Sequence, residues 1–367
     1  MKEKVCLYNC TNYDVTKIAG HISKAIDRLG GLERLFRNKQ KILLKVNCLF
    51  GAEPSKAITT HPEVVRAAIK VLKDKGFECH IGDSPATNNF LTESISSGFH
   101  KVAKKEKVPL VQLDQPVLKN GIYVSKKIES YDAIINFPKL KTHILTGLTG
   151  AVKNMYGVVP GKIKSSYHIK YSNIDDLSKL FLNLYQLQKP VLNIMDAIEA
   201  MEGNGPANGQ VRRLNTILVS KSGLSIDRIS ADMTNHKVDE LPILKIAQTK
   251  GLKDSFRKNI EIIGKAPKIS FKKSVRPTKH VPQALLNSVI NKYAPMPEID
   301  AKKCIKCKNC INICPKDAII ESEKLKIGKQ CAKCYCCKEV CPVDAVNLKT
   351  NLLNKMITKI CGLLRIK

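Results

Sequence analysis

Tryptophan is absent from this chain, and all aromatic residues together make up 5% of its 367 residues. No helix-turn-helix, RRM or KH signature is present either, which argues against sequence-directed nucleic-acid binding. No apolar run reaches the roughly 18 residues that a membrane-spanning helix needs. The opening "MKEKVCLYNCTNYD" lacks the apolar core of a secretory signal. Acidic residues are scarce, 32 against 62 basic, for a formal charge of +30. Such an excess attracts anions and permits nonspecific contact with nucleic acid or anionic lipid. Lysine is nevertheless spread through every segment, which reads as a general habit of composition and not as one dedicated patch.

What the chain has is cysteine. Of its 14 cysteines, nine fall in "CIKCKNCINICP" (304–315) and "CAKCYCCKEVCP" (331–342). Clustered thiols without a secretory signal fit metal ligation in a reducing compartment, so a cytoplasmic protein is expected. Both runs read Cys-x2-Cys-x2-Cys-x3-Cys-Pro. In this pattern three closely spaced thiolates wrap one iron–sulfur cubane, and the fourth ligates the other cubane when two motifs occur. The spacing therefore predicts two [4Fe-4S] clusters. One takes Cys304, Cys307, Cys310 and Cys341; the other takes Cys331, Cys334, Cys337 and Cys314. Structural zinc is disfavoured, because its ligands come in two pairs. Cys336 is a ninth thiol, read as a packed bystander. Residues 300–349 resemble the bacterial two-cluster ferredoxin, which implies low-potential one-electron transfer. Where that family commonly has glycine after the second cysteine, Lys308 and Tyr335 stand here. The module holds eleven Lys against six Asp and Glu, so an acidic donor, a ferredoxin or flavodoxin, is the expected partner.

Residues 1–275 alternate short apolar runs with helical patterns, which predicts an α/β domain built on a large open sheet, followed by the small α+β ferredoxin-like domain. "KILLKVN" (41–47) reads as a strand. "THPEVVRAAIKVLKDKG" (60–76) reads as a helix capped by Thr60, with Pro62 in its first turn and Val64, Ala68, Val71 and Leu72 on one face. Residues 276–299 read as a linker. Residues 350–367 read as an amphipathic basic helix that docks on the protein's own core or on a membrane surface.

Polar residues gather at the ends of the apolar runs, where open α/β sheets bind ligands. "NFPKLKTH" supplies Lys139, Lys141 and His143; "GLTGAVKNMYGVVPGKIKSSYH" supplies Lys153, Asn154 and His168; "MDAIEAMEGNGPANG" supplies Asp196 and Glu202. Cations, imidazoles and carboxylates in glycine-rich loops suit an anionic small molecule, with His143, Lys141 and Lys153 as catalytic groups and Lys139, Asn154, His168, Asp196 and Glu202 as binding groups. "GLTGAVKN" is not a P-loop, and "GNGPANG" is not a dinucleotide fingerprint. The runs "KILLKVN", "IGDSP", "FPKLKTH…GLTGAVKNMYGVVPG" and "IMDAIEAMEGNGP" resemble the family catalogued as domain of unknown function 362. That resemblance implies an iron–sulfur protein of anaerobic metabolism and specifies no reaction. The reading that follows is a ferredoxin-linked oxidoreductase with His143 as proton donor. The alternative is a non-enzymatic electron carrier or accessory factor that reduces a partner. A nucleic-acid or membrane-surface binder with structural clusters is a third class.

Overall fold

The computed structural model describes residues 2–37, 40–86, 89–274 and 295–349. Its strands are β1 (Glu3–Asn9), β2 (Lys41–Lys45), β3 (Glu78–Asp83), β4 (Leu110–Gln112), β5 (Pro116–Lys119), β6 (Ile122–Ser125), β7 (Ala133–Asn136), β8 (Lys139–His143), β9 (Gly147–Thr149), β10 (Leu192–Asn204), β11 (Asn208–Ser220), β12 (Ile260–Ile263), β13 (Met296–Ile299), β14 (Ile319–Ile320), β15 (Lys326–Ile327) and β16 (Val346–Lys349). Ten of them form one sheet, ordered β12-β1-β11-β10-β7-β2-β3-β4, with β8 beside β10 and β9 beside β8. The pairs β10–β7, β7–β2, β2–β3 and β3–β4 are parallel, and β1–β11 and β10–β11 are antiparallel.

Both faces of the sheet are covered, as a parallel centre requires. Along β2, Ile42 and Leu44 belong to one core while Leu43 belongs to the other. Along β7, Ala133 and Ile135 face the first and Ile134 the second, the period of two that a pleated strand imposes. The helices Val15–Arg28 and Pro62–Lys73 cover one side; Ile174–Gln188 and Gly223–Met233 cover the other. The helix Pro62–Lys73 buries Val64, Ala68 and Leu72 as its periodicity predicts, but its cap is His61, not Thr60. The Thr60 hydroxyl is committed elsewhere: it donates to the Phe137 carbonyl at 2.6 Å and accepts from Asn47 N at 3.0 Å, tying the β2 and β7 loops together.

The parallel strands β2, β3 and β7 end at Lys45, Asp83 and Asn136, so these three polar residues share the carboxyl edge of the sheet. The long hairpin β10–β11 extends past that edge and carries the small domain. Met201 and Ala207 near its tip pack with Phe50, Ile58, Ile313, Cys336 and Val340, and Asn208 Nδ2 donates to the Cys341 carbonyl at 3.0 Å. The loop "GNGPANG" is thus a docking hairpin for the cysteine module. Met296–Ile299, placed in the linker by the sequence, pairs antiparallel with β16 and belongs to that module. The remainder of the expected linker, 276–294, and the expected terminal helix, 350–367, lie outside the described residues. Among the described residues no helix is long and apolar enough to cross a membrane.

Candidate redox and ligand site

Eight of the nine described thiols of the small domain fall into two sets of four. Cys314, Cys331, Cys334 and Cys337 line one small cavity, walled also by Pro315, Ile319, Tyr335 and Cys336. In the other set Cys310 is pushed up to about 11, first by burial and then by the crowding of Cys307, Cys341 and Cys304. Each fourth cysteine therefore sits with the opposite run, as the two-motif pattern implies. The backbone repeats at an interval of 27 residues: Lys306 and Lys333, Lys308 and Tyr335, and Asp317 and Asp344 all have positive φ. Lys308 and Tyr335 adopt the left-handed conformation at φ 62° and 60°, which costs a side chain about 1–2 kcal/mol. The conformation, then, is kept where glycine is not. Ala318 N and Ala345 N each donate to the sulfur of the fourth cysteine four residues earlier, both at 3.2 Å. Amides aimed at sulfur stabilise thiolate charge, so these residues fit a cubane, which would supply one-electron transfer.

A second, larger cavity, of about 100 Å³, lies between the carboxyl edge of the sheet and the cysteine module. Lys45, Asp83, Lys153, Lys164 and His168 come from the sheet side; Ile313, Cys336, Glu339 and Val340 close it from the module. Lys45 Nζ is 2.7 Å from Asp83 Oδ1, and both side chains are buried. Asp83 is held further by Cys48 N at 2.7 Å and Ser84 N at 2.8 Å. A Cβ at Gly157 would collide with this ion pair, which explains glycine at a position with no unusual φ. Lys164 Nζ donates to Ser84 Oγ and the Val159 carbonyl, and burial lowers its pKa to about 7. Cys336 lies on the wall of this cavity and also of the one that gathers Cys314, Cys331, Cys334 and Cys337.

Of the residues chosen from sequence, Lys153, Asn154 and His168 line the large cavity. Lys153 has no hydrogen bond or ion pair among the described residues; its ammonium lies 5.4 Å from the Phe181 ring centre, and burial lowers its pKa. Asn154 holds the wall through its amide, donating to Asn136 Oδ1 at 2.7 Å and accepting from Asn47 Nδ2 at 2.9 Å. The other choices lie off this wall. Lys139 is fully buried against Asp196 at 2.7 Å, and Asp196 also accepts from Tyr13 OH and His61 N. Within that cluster Lys139 Nζ also donates to Tyr13 OH at 3.2 Å, so its charge is committed to the Asp196 pair. Lys141 donates to the Ile58 carbonyl at 2.5 Å, and burial lowers its pKa to about 7. Glu202 accepts from Lys272 N at 3.1 Å.

His143 is buried and lies off this wall. Its Nδ1 accepts from Leu145 N and Thr146 N at 3.1 and 3.3 Å, so the neutral ring carries its proton on Nε2. Burial, and next the Lys153 charge, lower its pKa to about 4. Nε2 faces Glu339 Oε1 at 3.5 Å, across the boundary between the sheet domain and the module. Burial alone would raise the Glu339 pKa, but His143, Lys153 and His168 together hold it down at about 2. Sequence reading passed over Glu339, Lys45, Asp83 and Lys164. Lys45 carried a signal, a lysine at the end of an otherwise apolar strand; Glu339 carried none, because only docking brings it to His143.

His61 offers a test of burial at the rim of the Asp196 cluster. Its Nδ1 accepts from Glu63 N, and burial lowers its pKa to about 4, with Asp196 opposing. The folded-state value lies below the unfolded 6.5, so its stabilising share is full above about 6.5 and is lost as pH falls through about 4. His61→Asn retains a capping acceptor and should flatten the loss of stability over that window. Denaturant midpoints at neutral pH and in this acid window check it; an equal fall in both proteins would assign the effect elsewhere.

The chain is 27% identical over 260 residues to a thylakoid-associated protein of Synechocystis, covering 69% of this chain and 81% of that protein. Among solved structures it has a distant likeness to a lactate racemase apoprotein from Thermoanaerobacterium thermosaccharolyticum, at 10% identity and a TM-score of 0.42, over 62% of this chain and 56% of that one. Residues 297–320 match the 4Fe-4S binding domain, which makes this an iron–sulfur electron-transfer protein. Residues 42–232, which include the carboxyl edge of the sheet and most of the cavity wall, match the domain of unknown function DUF362, and the chain belongs to that family.

Proposed function

We propose that this protein is a ferredoxin-linked oxidoreductase in which two [4Fe-4S] clusters carry electrons to a small anionic ligand held between the sheet and the cysteine module. One observation carries the reading: Cys336 walls both the cavity of the Cys314 set and the ligand cavity, so the cluster of that set would lie one side chain away from the ligand. The other set reaches the surface at Cys307. Cys307 is exposed, Ile305 is 61% exposed, and Lys302, Lys303, Lys306 and Lys308 surround them. An apolar centre with a cationic rim suits transient docking of an acidic one-electron donor. Each encounter with the donor would supply one electron, and two clusters would hold two for chemistry at the ligand cavity. The cytoplasm, a reducing compartment, suits thirteen described cysteines that are all free thiols.

Reduction of the anaerobic protein by a reduced acidic ferredoxin, followed in stopped flow, should slow about tenfold or more as salt is raised from low to physiological strength. A flat rate removes the basic face as the docking surface. Native mass spectrometry of anaerobically purified protein should find a retained small anion. Stripping that anion should change the EPR signal of the cluster assigned to the Cys314 set. No change, or a change confined to the other signal, would favour the carrier reading, to which the exposure of Cys307 also lends itself.

A further inference from the structure

The polar groups on the ligand cavity are unequal, and their inequality describes what binds there. Four side-chain amides form a relay, three of them buried and the first, Asn47, half-buried. Asn47 Nδ2 donates to Asn154 Oδ1 at 2.9 Å, Asn154 Nδ2 to Asn136 Oδ1 at 2.7 Å, and Asn136 Nδ2 to Asn193 Oδ1 at 2.9 Å. The direction of the relay is anchored by backbone carbonyls, which only accept: Asn136 Nδ2 also donates to the Ala151 carbonyl, and Asn193 Nδ2 to the Lys221 carbonyl. Turning any one amide over would set two acceptors against each other. Asn47 heads the relay on the cavity wall, and its Oδ1 is left buried with no partner. That atom is an unspent acceptor, cut off from water and from any hydrogen-bond donor of the described residues.

Two further groups on the same wall are unspent. Thr149 Oγ1 is buried without a partner, in a residue 3% exposed. Lys153 Nζ has no hydrogen-bond or ion-pair partner among the described residues. Around the cavity Lys45, Lys153 and Lys164 stand against Asp83 and Glu339, leaving one positive charge when all are ionised. A ligand that neutralises this wall brings a single negative charge to Lys153 and a hydrogen-bond donor to Asn47. A phosphate dianion fits worse: its second charge would meet Glu339, and the described lining contains no arginine for it.

We propose that the cavity binds a small monocarboxylate carrying a hydroxyl or N–H group, its carboxylate at Lys153 and Thr149 and its donor at Asn47 Oδ1. This names the substrate class of the site proposed above and rests on that reading. Calorimetric titration of the anaerobic, cluster-loaded protein with butyrate, 2-hydroxybutyrate and inorganic phosphate tests it. 2-Hydroxybutyrate should bind about tenfold or more tighter than butyrate, because only it satisfies the buried acceptor, and phosphate should bind weakest. Lys153→Met should abolish binding of both carboxylates, and Asn47→Leu should bring their ratio to about one, since the acceptor is then gone. The wild-type comparison needs no variant and so survives any misfolding of Asn47→Leu. Butyrate binding as tightly as 2-hydroxybutyrate, phosphate binding tighter than either, or no saturable carboxylate binding at millimolar concentration would overturn the proposal. EPR on the same samples separates the two readings. Selective binding that leaves both cluster signals unchanged sinks the redox reading alone; unselective binding that shifts one signal sinks this one alone.

Discussion

With Cys314 replaced by alanine, anaerobically purified protein should hold about four irons in place of about eight, and the surviving cluster should be the one wrapped by the 304–310 run. The expectation runs against proximity in sequence, since Cys314 is the last cysteine of that same run. It follows from the cavity that Cys314 shares with Cys331, Cys334 and Cys337, and from the Ala318 amide that meets its sulfur from behind. Iron and sulfide assays count the clusters, and EPR of the reduced protein identifies the one that remains. Loss of the signal belonging to Cys304, Cys307 and Cys310, or zinc in place of iron in the wild type, would show the thiols to be paired otherwise.

Lys139→Met should destabilise the protein by about 3–5 kcal/mol, the cost of leaving a buried charge without its partner. Asp196 has no solvent to turn to: both side chains are fully buried, and only Tyr13 OH, His61 N and Ile198 N remain to it. Lys153→Met, fourteen residues along, should cost clearly less, because no carboxylate is ion-paired to that ammonium and Glu339, which it also stabilises, keeps His143 and His168 beside it. Denaturant midpoints of the two variants make the comparison. Near-equal stabilities would mean that the Lys139–Asp196 pair is not the closed ionic cluster described above. Replacing Lys139 and Asp196 together by apolar residues should recover much of the loss, since a buried pair contributes far less than breaking it costs.

These two lysines mark how far sequence reading reaches. Both were chosen for the same reason, a cation in a polar run at the end of a strand, and nothing local separates them. Lys139 lies on β8, whose register with β10 sets it opposite Asp196, 57 residues away. Lys153 lies in the short helix Ala151–Asn154, with no carboxylate in reach of an ion pair. The difference is a matter of pairing register, which long-range packing sets. Thr60 shows the same limit: the sequence favours it as the cap, but the Phe137 carbonyl takes its hydroxyl and His61 caps the helix in its place.

Where the physics is local, the sequence alone was sufficient. Thiol spacing specified the iron–sulfur module, because three cysteines two residues apart can wrap only a compact cluster, and the alternation of apolar runs specified a sheet covered on both faces. Even the replacement of glycine by Lys308 and Tyr335 left the backbone as the motif requires it. The tertiary structure alone decided where the module docks. The β10–β11 hairpin sets it over the carboxyl edge of the sheet, and that placement turns Cys336 into a shared wall and brings Glu339 to His143. No spacing in the chain encodes those contacts, because they arise between surfaces that fold separately along the sequence and meet only by packing.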